Sequence, residues 1–233
     1  MFNWKWLKAE KPLINPVIAT LWVGDKSPVI DTCLHSVDAY AERHGIYRKH
    51  QSHLNNTNVP HPAWGKLEVL HWFLDSGYDR MLFMDCDIMV APDSSNIFEE
   101  HPTGIWMRRD PLIERRWPEE FENWVLRNHK KRIVAAPYFN TGVLILDKKF
   151  TEKWLEDINS RPKVNHATFE QHAIVASLRL SGLHEKVNWL SSKWNWLNVN
   201  NIEANRKEER YFDHYASPDG KKILVKNLKR HIA

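Results

Sequence analysis

The chain has 233 residues, of which 42% are hydrophobic, and this is enough for one sizeable core. Its 33 lysines and arginines against 29 acids give a net charge of +4, an excess too small to indicate a nucleic-acid-binding protein. No segment approaches the ~18 consecutive apolar residues of a membrane span, and the first residues lack the apolar run of a signal peptide. We therefore expect one domain, residues 1–233, without a membrane span.

The two cysteines, Cys33 and Cys86, lie in apolar surroundings far apart in the sequence. They form no short-spaced pair of the kind that binds zinc, and no disulfide framework. We expect a reducing, cytoplasmic setting.

Strands and helices are predicted to alternate through the first part of the chain. Residues 1–12 have no clear period and predict an irregular lead-in, whereas the β-rich residues 17–23 predict a strand that ends in a turn at 24–28. Helical spacing of apolar residues then predicts helices from Pro28 to about Gly45 and over 62–74, with no pattern between them. Ligands of open α/β sheets gather at the carboxyl ends of such strands.

The next strand carries two acids in an apolar run. Residues 81–84 and 88–90 are apolar at every position, which is typical of a strand covered on both faces, yet Asp85 and Asp87 interrupt this run. Burying two like charges is costly, and a divalent cation with oxygen ligands is the simplest remedy. The spacing alone is equally compatible with an acid pair that caps a turn.

The second half continues with short elements. Strands are predicted at 104–107, 138–147, 187–190 and 210–216, and helices at 148–158 and 168–178. Thr168 is the predicted N-cap of the last helix, which places Glu170 and Gln171 in its first turn. The charged segment 114–131 predicts a partly exposed helix or lid, or merely a solvated surface. These elements together predict an α/β fold with a mixed central sheet.

Several ordered motifs resemble those of one family. They are Trp64-Gly-Lys-Leu-Glu-Val-Leu-His, Arg80-Met-Leu-Phe-Met-Asp-Cys-Asp-Ile-Met-Val, Phe139-Asn-Thr-Gly-Val, Glu170-Gln171, the aromatic loop that holds Asn195, and His214-Tyr-Ala-Ser-Pro-Asp-Gly-Lys-Lys222. In order and spacing this set is similar to glycogenin and its relatives, the retaining glycosyltransferases of GT-A type. The resemblance spans about residues 17–224. This chain has Glu170 where the family usually has aspartate.

The resemblance implies a fold and a reaction. The fold is a single GT-A type domain, in which a mixed, mostly parallel sheet is flanked by helices. About residues 1–100 are expected to form a Rossmann-like nucleotide-binding half, and about residues 101–233 the acceptor-binding half and the C-terminal tail. The reaction transfers a hexose from a nucleotide sugar, expected to be a UDP-sugar, to a glycan or another hydroxyl acceptor.

The resemblance also implies a set of site residues. The metal, manganese or magnesium, is held by Asp85, Asp87 and His214. The catalytic set is Gln171, Asn140 and Lys66. Contacts to the donor are implied for Thr20, Trp22, Asp25, Lys66, Asp85, Cys86, Asp87, Lys221 and Lys222.

The implied chemistry agrees with the residue types. A cation and a lysine stabilise the negative charge that develops on a departing diphosphate. Gln171 is a poor nucleophile, which favours a front-face path over a covalent intermediate if configuration is retained. Cys86 is needed only as a small residue, not as a reactive thiol.

Two rival functions and two plain interpretations stand beside this one. A sugar nucleotidyltransferase needs a glycine-rich loop after the first strand, where this chain has one glycine at Gly24, and a metal-dependent carbohydrate-binding module would use the tryptophans instead. We interpret Trp194 and Trp196 as packing residues rather than sugar platforms. The arginines are interpreted as a solvated face rather than an acceptor site: Arg108, Arg109, Arg115 and Arg116.

Overall fold

The computed structural model describes residues 14–164, 166, 168, 170–198, 209–216, 220 and 222–224, so the predicted lead-in lies outside the described residues. The strands are β1 (Pro16–Leu21), β2 (Tyr47–Gln51), β3 (Arg80–Asp85), β4 (Ile88–Val90), β5 (Ile105–Arg109), β6 (Phe139–Asp147), β7 (Val187–Trp189), β8 (Trp196–Leu197) and β9 (Phe212–His214). The helices are α1 (Pro28–Arg43), α2 (Lys66–Asp75), α3 (Ile97–Glu100), α4 (Pro111–Arg116), α5 (Pro118–His129), α6 (Lys148–Asn159) and α7 (Gln171–Leu180).

Six strands form the central sheet, in the order β2-β1-β3-β6-β5-β7. Pairs β1–β2, β1–β3 and β5–β7 are parallel, whereas β6 is antiparallel to both β3 and β5. A second sheet has the order β4-β9-β8. The predicted α/β class with a mixed central sheet is confirmed.

The sheet is covered on both faces, as the continuous apolar run of β3 predicts. Met81 and Phe83 pack into a core with residues of α2, α5, α6 and α7. Leu82 and Met84, which point to the opposite face, pack with residues of α1, α3, β4 and β9. Both layers therefore hold β3 rigidly and fix the position of the acid that ends it.

Three predictions about elements are wrong in detail. The apolar run through residues 81–90, predicted as one strand interrupted by two acids, is two strands, because the chain turns at Cys86 and Asp87 and β4 then pairs with β9 in the second sheet. Residues 47–51, for which no element was predicted, form the edge strand β2. Thr168 does not cap α7, whose N-cap is Glu170.

The charged segment 114–131 is helical and anchored. It forms the end of α4 and all of α5, and Phe121, Trp124 and Val125 are buried in the core. These apolar residues pack α5 onto the domain, while its acidic first turn stays exposed. Among the described helices, none combines the length and apolarity needed to cross a membrane.

Candidate active site

The ends of three central strands bring the predicted residues to one edge of the sheet. β1 and β3 run parallel with Leu21 paired to Asp85, so both strands end at this edge. β6 runs the other way with Val143 paired to Met84, so its first residues, which precede Val143, start at the same edge. Asp85 therefore faces the segment Asn140-Thr-Gly142, as expected for polar groups at the carboxyl end of parallel strands.

His214 reaches the acid pair through the second sheet. β4 starts immediately after Asp87, and Ile88 pairs with His214 in β9. The His214 Nε2 atom lies 3.3 Å from Asp87 Oδ1 and 3.8 Å from Asp85 Oδ2. One ligand atom from each of these three residues lies within 4.8 Å of the other two. The structure thus brings together the three metal ligands predicted from the sequence.

The other nitrogen of His214 is held in place. His214 Nδ1 lies 3.0 Å from Asn195 Oδ1, and Asn195 Nδ2 donates to Asn140 Oδ1 at 2.8 Å. A fixed Nδ1 leaves Nε2 for the space between the carboxylates, which is how metal-binding histidines are usually supported. Gly142 makes room for the ring, since a Cβ there would lie 2.2 Å from His214 Cε1.

The charges around the acid pair favour a bound cation. Burial raises the pKa of the Asp85 carboxyl, and Asp87 and Glu170 add to the rise, although Lys66 and His214 oppose it. Burial would lower the pKa of His214, but its hydrogen bond to Asp87 and the charges of both aspartates raise it above its ordinary value. Two carboxylates and one imidazole with this arrangement fit a manganese or magnesium ion.

Lys66 is a buried cation at the start of α2. Its Nζ lies 2.7 Å from Glu170 Oε1 and 3.3 Å from Asp85 Oδ1, and it donates to the Thr141 carbonyl at 2.9 Å. Burial would lower the Lys66 pKa, but the charges of Asp85 and Glu170 raise it. The ammonium is therefore charged and held in one position, with only 2% of its side chain exposed.

Gln171 lies one residue after Glu170 and contacts the same segment of β6. Gln171 Oε1 accepts from the Thr141 backbone N at 3.2 Å, and Gln171 Nε2 donates to Asp110 Oδ2 at 3.3 Å. Asp110 is buried and also accepts from the backbone N atoms of the first turn of α4. Both ends of the Gln171 amide are therefore oriented by the protein.

Asn140 is fixed by the same set of polar residues. Its Oδ1 accepts from Asn195 Nδ2 and from the Gly142 backbone N at 3.0 Å, and its side chain also hydrogen-bonds Asp110. Burial raises the pKa of Asp110, and the hydrogen bonds that Asp110 accepts from Asn140, from Gln171 and from the first turn of α4 oppose this rise.

The sequence singled out Asn195 only as part of an aromatic loop, and no role was predicted for Asp110. Thr141 belonged to the predicted motif Phe139-Asn-Thr-Gly-Val, but no role was predicted for its side chain or its carbonyl.

The residues predicted to contact the donor are spread over more of the structure than the residues around Asp85. Trp22 and Asp25 lie in the loop after β1, and Thr20 is fully buried within β1, where its hydroxyl lies 3.0 Å from His50 Nδ1. Cys86 is partly exposed in the turn between the two aspartates. Lys222 is described and exposed, whereas Lys221 lies outside the described residues.

The aromatic loop packs inside the protein. Trp194 and Trp196 are 0% and 1% exposed, which confirms their interpretation as packing residues. The interpretation of the arginines as a solvated face is wrong for Arg108, which is buried and donates to the Asn195 carbonyl. Arg108 thereby supports the residue that orients His214.

The sequence matches the model of glycosyl transferase family 8 over residues 35–217. That range contains every residue of the cluster around Asp85, whereas Thr20, Trp22, Asp25 and Lys222 lie outside it. No curated protein sequence matches the chain.

Solved glycosyltransferase structures share the fold. One is a glycosyltransferase involved in glycosylation of the major capsid of PBCV-1, with 13% identity, a TM-score of 0.63, and coverage of 92% of this chain and 98% of that one. A second is the galactosyltransferase LgtC in complex with donor and acceptor sugar analogues, with 15% identity, a TM-score of 0.53 and 87% coverage of both chains. Mouse xyloside xylosyltransferase 1 has 11% identity and a TM-score of 0.53, and covers 84% of this chain and 96% of its own. The expected GT-A type fold is confirmed.

Proposed function

The chain belongs to glycosyl transferase family 8, and from this premise we propose that it transfers a hexose from a UDP-sugar to a hydroxyl of a glycan or other acceptor, with retention of configuration. One observation carries the proposal. Two carboxylates, an imidazole and a buried ammonium converge at the edge where the strands of an open α/β sheet end. Such a set suits a donor that carries a diphosphate.

In this proposal Asp85, Asp87 and His214 hold manganese or magnesium. The cation, when bound, neutralises negative charge on the diphosphate as the bond to the sugar breaks. The protein prepares this position before any ligand arrives, because Asn195 orients His214 and the sheet orients Asp85. Little reorganisation is then needed during the reaction.

Lys66 supplies a second positive charge beside the acid pair. Its ammonium is held by Glu170, by Asp85 and by the Thr141 carbonyl, so it lies in a fixed position without the entropy cost of ordering an exposed lysine. We assign its positive charge, which lies beside Asp85, to the electrostatic stabilisation of the diphosphate. Glu170 is then a positioning residue that holds Lys66.

Asn140 and Gln171 are assigned to the donor sugar. Both amides are oriented by Asp110. Thr141 and Tyr138 also engage the Gln171 amide, so in this proposal Gln171 exchanges one of these protein contacts for the sugar when the donor binds. An amide cannot form the covalent glycosyl intermediate that a carboxylate would form. The nearby carboxylates are already engaged, Glu170 by Lys66 and Asp110 by a helix N-terminus. This arrangement supports a front-face path for retention.

The loop after β1 is assigned to the nucleoside. Trp22 and Asp25 lie in this loop, whose strand ends beside Asp85. Thr20 contributes from within the strand, and the tail around Lys222 is assigned to the phosphates. Lys221, which lies outside the described residues, belongs to the same proposed tail contact.

A thermal-shift screen tests this function. UDP, GDP, a set of UDP-sugars and a set of GDP-sugars are each added with and without manganese, because a ligand that binds only the folded state raises its melting temperature. We expect a rise with UDP or a UDP-sugar that requires manganese and that is lost in Asp87→Asn. The matched control is Asp93→Asn, which removes an exposed acid from the loop after β4.

Three outcomes would contradict the proposal. A rise with GDP-sugars alone would overturn the donor assignment. A rise with free glycan and with no nucleotide would favour a carbohydrate-binding module. An unchanged, manganese-dependent rise in Asp87→Asn would remove the acid pair from the site.

A further inference from the structure

An exposed tryptophan lies at the same edge of the sheet as the proposed active site. Trp189 ends β7, which runs parallel to β5, and β5 in turn runs antiparallel to β6. The end of β7, the end of β5 and the start of β6 therefore meet at this edge, and they carry Trp189, Arg109 and Phe139. Tryptophan side chains are mostly buried in folded proteins, whereas this one is open to solvent beside the place where the proposed substrates bind.

Trp189 rests on a rigid base. Its ring stacks on that of Phe139, with centroids 5.2 Å apart and an interplanar angle of 16°, and Phe139 itself is fully buried. The guanidinium carbon of Arg109 lies 5.3 Å from the centroid of the Trp189 ring. Trp189 stays 39% exposed with both neighbours in place, so they hold the ring without closing it off. A ring that is already fixed loses little entropy when a ligand packs on it.

This ring lies on the face of the sheet that holds Gln171. Phe139 and Thr141 are two positions apart in β6, so their side chains point to the same face, about 7 Å apart along the strand. Thr141 contacts the Gln171 amide, which is assigned to the donor sugar. The strand β1, whose loop is assigned to the nucleoside, lies beyond β6 and β3 in the sheet. A ligand on Trp189 is therefore a neighbour of the donor sugar and not of the nucleotide.

Arg109 supplies polar groups beside the ring. Its Nε donates to Glu114 Oε1 at 3.0 Å, which orients the guanidinium, and half of the Arg109 side chain is exposed. Its two terminal nitrogens bond to none of the residues that the structure describes. A sugar ring presents an apolar C–H face and a rim of hydroxyls. An aromatic surface with hydrogen-bond donors at its side suits both of these features.

We propose that Trp189 and Arg109 bind the acceptor, and that the acceptor is a glycan. One sugar ring of the glycan stacks its C–H face on Trp189, and Arg109 donates to the hydroxyls of that ring. This inference rests on the proposed transferase function and narrows its acceptor from hydroxyl compounds in general to sugars. Arg109 is then a substrate-binding residue and not merely part of a solvated face.

Glycan binding is measured on the full chain by calorimetry and by saturation-transfer NMR, with UDP and manganese present to fill the donor side. The probes are lactose, maltose and cellobiose, with glycerol as a hydroxyl compound that has no ring. We expect at least one disaccharide to bind, with the strongest saturation on the C–H protons of one ring, and glycerol not to bind. Trp189→Ala should weaken this binding by roughly 10-fold or more, because the stacking surface is lost.

Tyr47→Ala is the matched control. Tyr47 is also an exposed aromatic residue stacked on another ring, that of Tyr78, with centroids 5.4 Å apart, but it starts β2 at the opposite edge of the sheet. This variant should bind the disaccharide as the unmodified chain does. Trp189→Phe should recover part of the binding, since it keeps an aromatic face. Arg109→Gln should weaken binding by a smaller factor than Trp189→Ala, because the stacking surface remains.

Two results would overturn the inference, namely binding of none of the three disaccharides, or equal affinity in Trp189→Ala and the unmodified chain. The rise in melting temperature with UDP and manganese is measured on every variant and shows that the fold is intact. If Trp189→Ala lacks this rise, Trp189→Phe decides the same point. If the unmodified chain lacks it, the proposed function fails and the inference fails with it. If the unmodified chain shows it, disaccharide binding alone decides the inference.

Discussion

Replacing Lys66 by methionine leaves Glu170 buried without its cation. In the folded protein Lys66 Nζ lies 2.7 Å from Glu170 Oε1, and the Glu170 side chain is only 6% exposed. Methionine has a similar length and fills much of the same space, so the change removes charge rather than volume. The experiment therefore isolates the electrostatic role of Lys66.

The expected loss is large because the pair is buried. Removing one partner of a buried ion pair costs about 3–5 kcal/mol of unfolding free energy, since the other charge remains uncompensated. Lys66 also pairs with Asp85, whose side chain is 31% exposed and whose charge raises the Lys66 pKa as well, so Lys66→Met also loses this second interaction. The Lys66 pKa is raised above its ordinary value of 10.5, so its stabilising contribution is complete below that pH and is lost as the pH rises further. A measurement at pH 7.5 therefore records all of it.

Urea unfolding followed by tryptophan fluorescence measures the loss, with Lys66→Met, Glu170→Gln and the double variant compared at equal m-values. We expect the double variant to lie within about 1 kcal/mol of Glu170→Gln, because once Glu170 is neutral the loss of Lys66 no longer leaves that buried carboxylate uncompensated. Equal cost of Lys66→Met in both backgrounds would refute the reasoning, since it would show that the two residues do not interact.

Three further predictions concern other parts of the molecule. Gly142→Ala should keep the fold but weaken manganese binding by calorimetry, because a Cβ there would lie 2.2 Å from His214 Cε1 and displace the ring; unchanged binding would contradict the assigned ligand. Gln171→Ala should lower kcat by roughly 10- to 100-fold, the loss of a hydrogen bond to a charged group, and a complete loss would instead indicate a covalent role. Burial lowers the pKa of His101, so the unfolded state binds a proton that the folded state resists, and stability falls as the pH drops below 6.5. His101→Gln should reduce this acid sensitivity in denaturant melts, and equal sensitivity in both proteins would argue against it.

Periodicity predicted those elements that bury apolar side chains. Residues 139–147 and 148–159 are examples, because a covered strand and an amphipathic helix each leave a regular pattern. β2 has no such pattern, because it is an edge strand of mostly polar residues that is stabilised by its pairing with β1. The boundary between β3 and β4 could not be predicted from the sequence either, because both strands are apolar and they differ only in that β4 pairs with β9 in the second sheet.

The convergence of Lys66, Asp85, Asp87 and His214 was predicted from the order of short motifs rather than from local pattern. The residues that support these four side chains were harder to predict, because a hydrogen-bond partner far along the chain leaves no periodic pattern in the sequence. Asn195, for example, orients His214 although the two residues are 19 positions apart in the sequence. The burial of Arg108 was missed for the same reason, since its partner is a backbone carbonyl in that loop.

The most direct test of the proposed function is the manganese dependence of sugar release from a UDP-sugar by Asp87→Asn. Asparagine keeps the shape of the side chain but removes the charge of a metal ligand. The account predicts that the unmodified chain needs manganese, that Asp87→Asn is slower by roughly 100-fold or more, and that the control Asp93→Asn is unchanged. Full activity in Asp87→Asn, or full activity of the unmodified chain after chelation of manganese and magnesium, would contradict it.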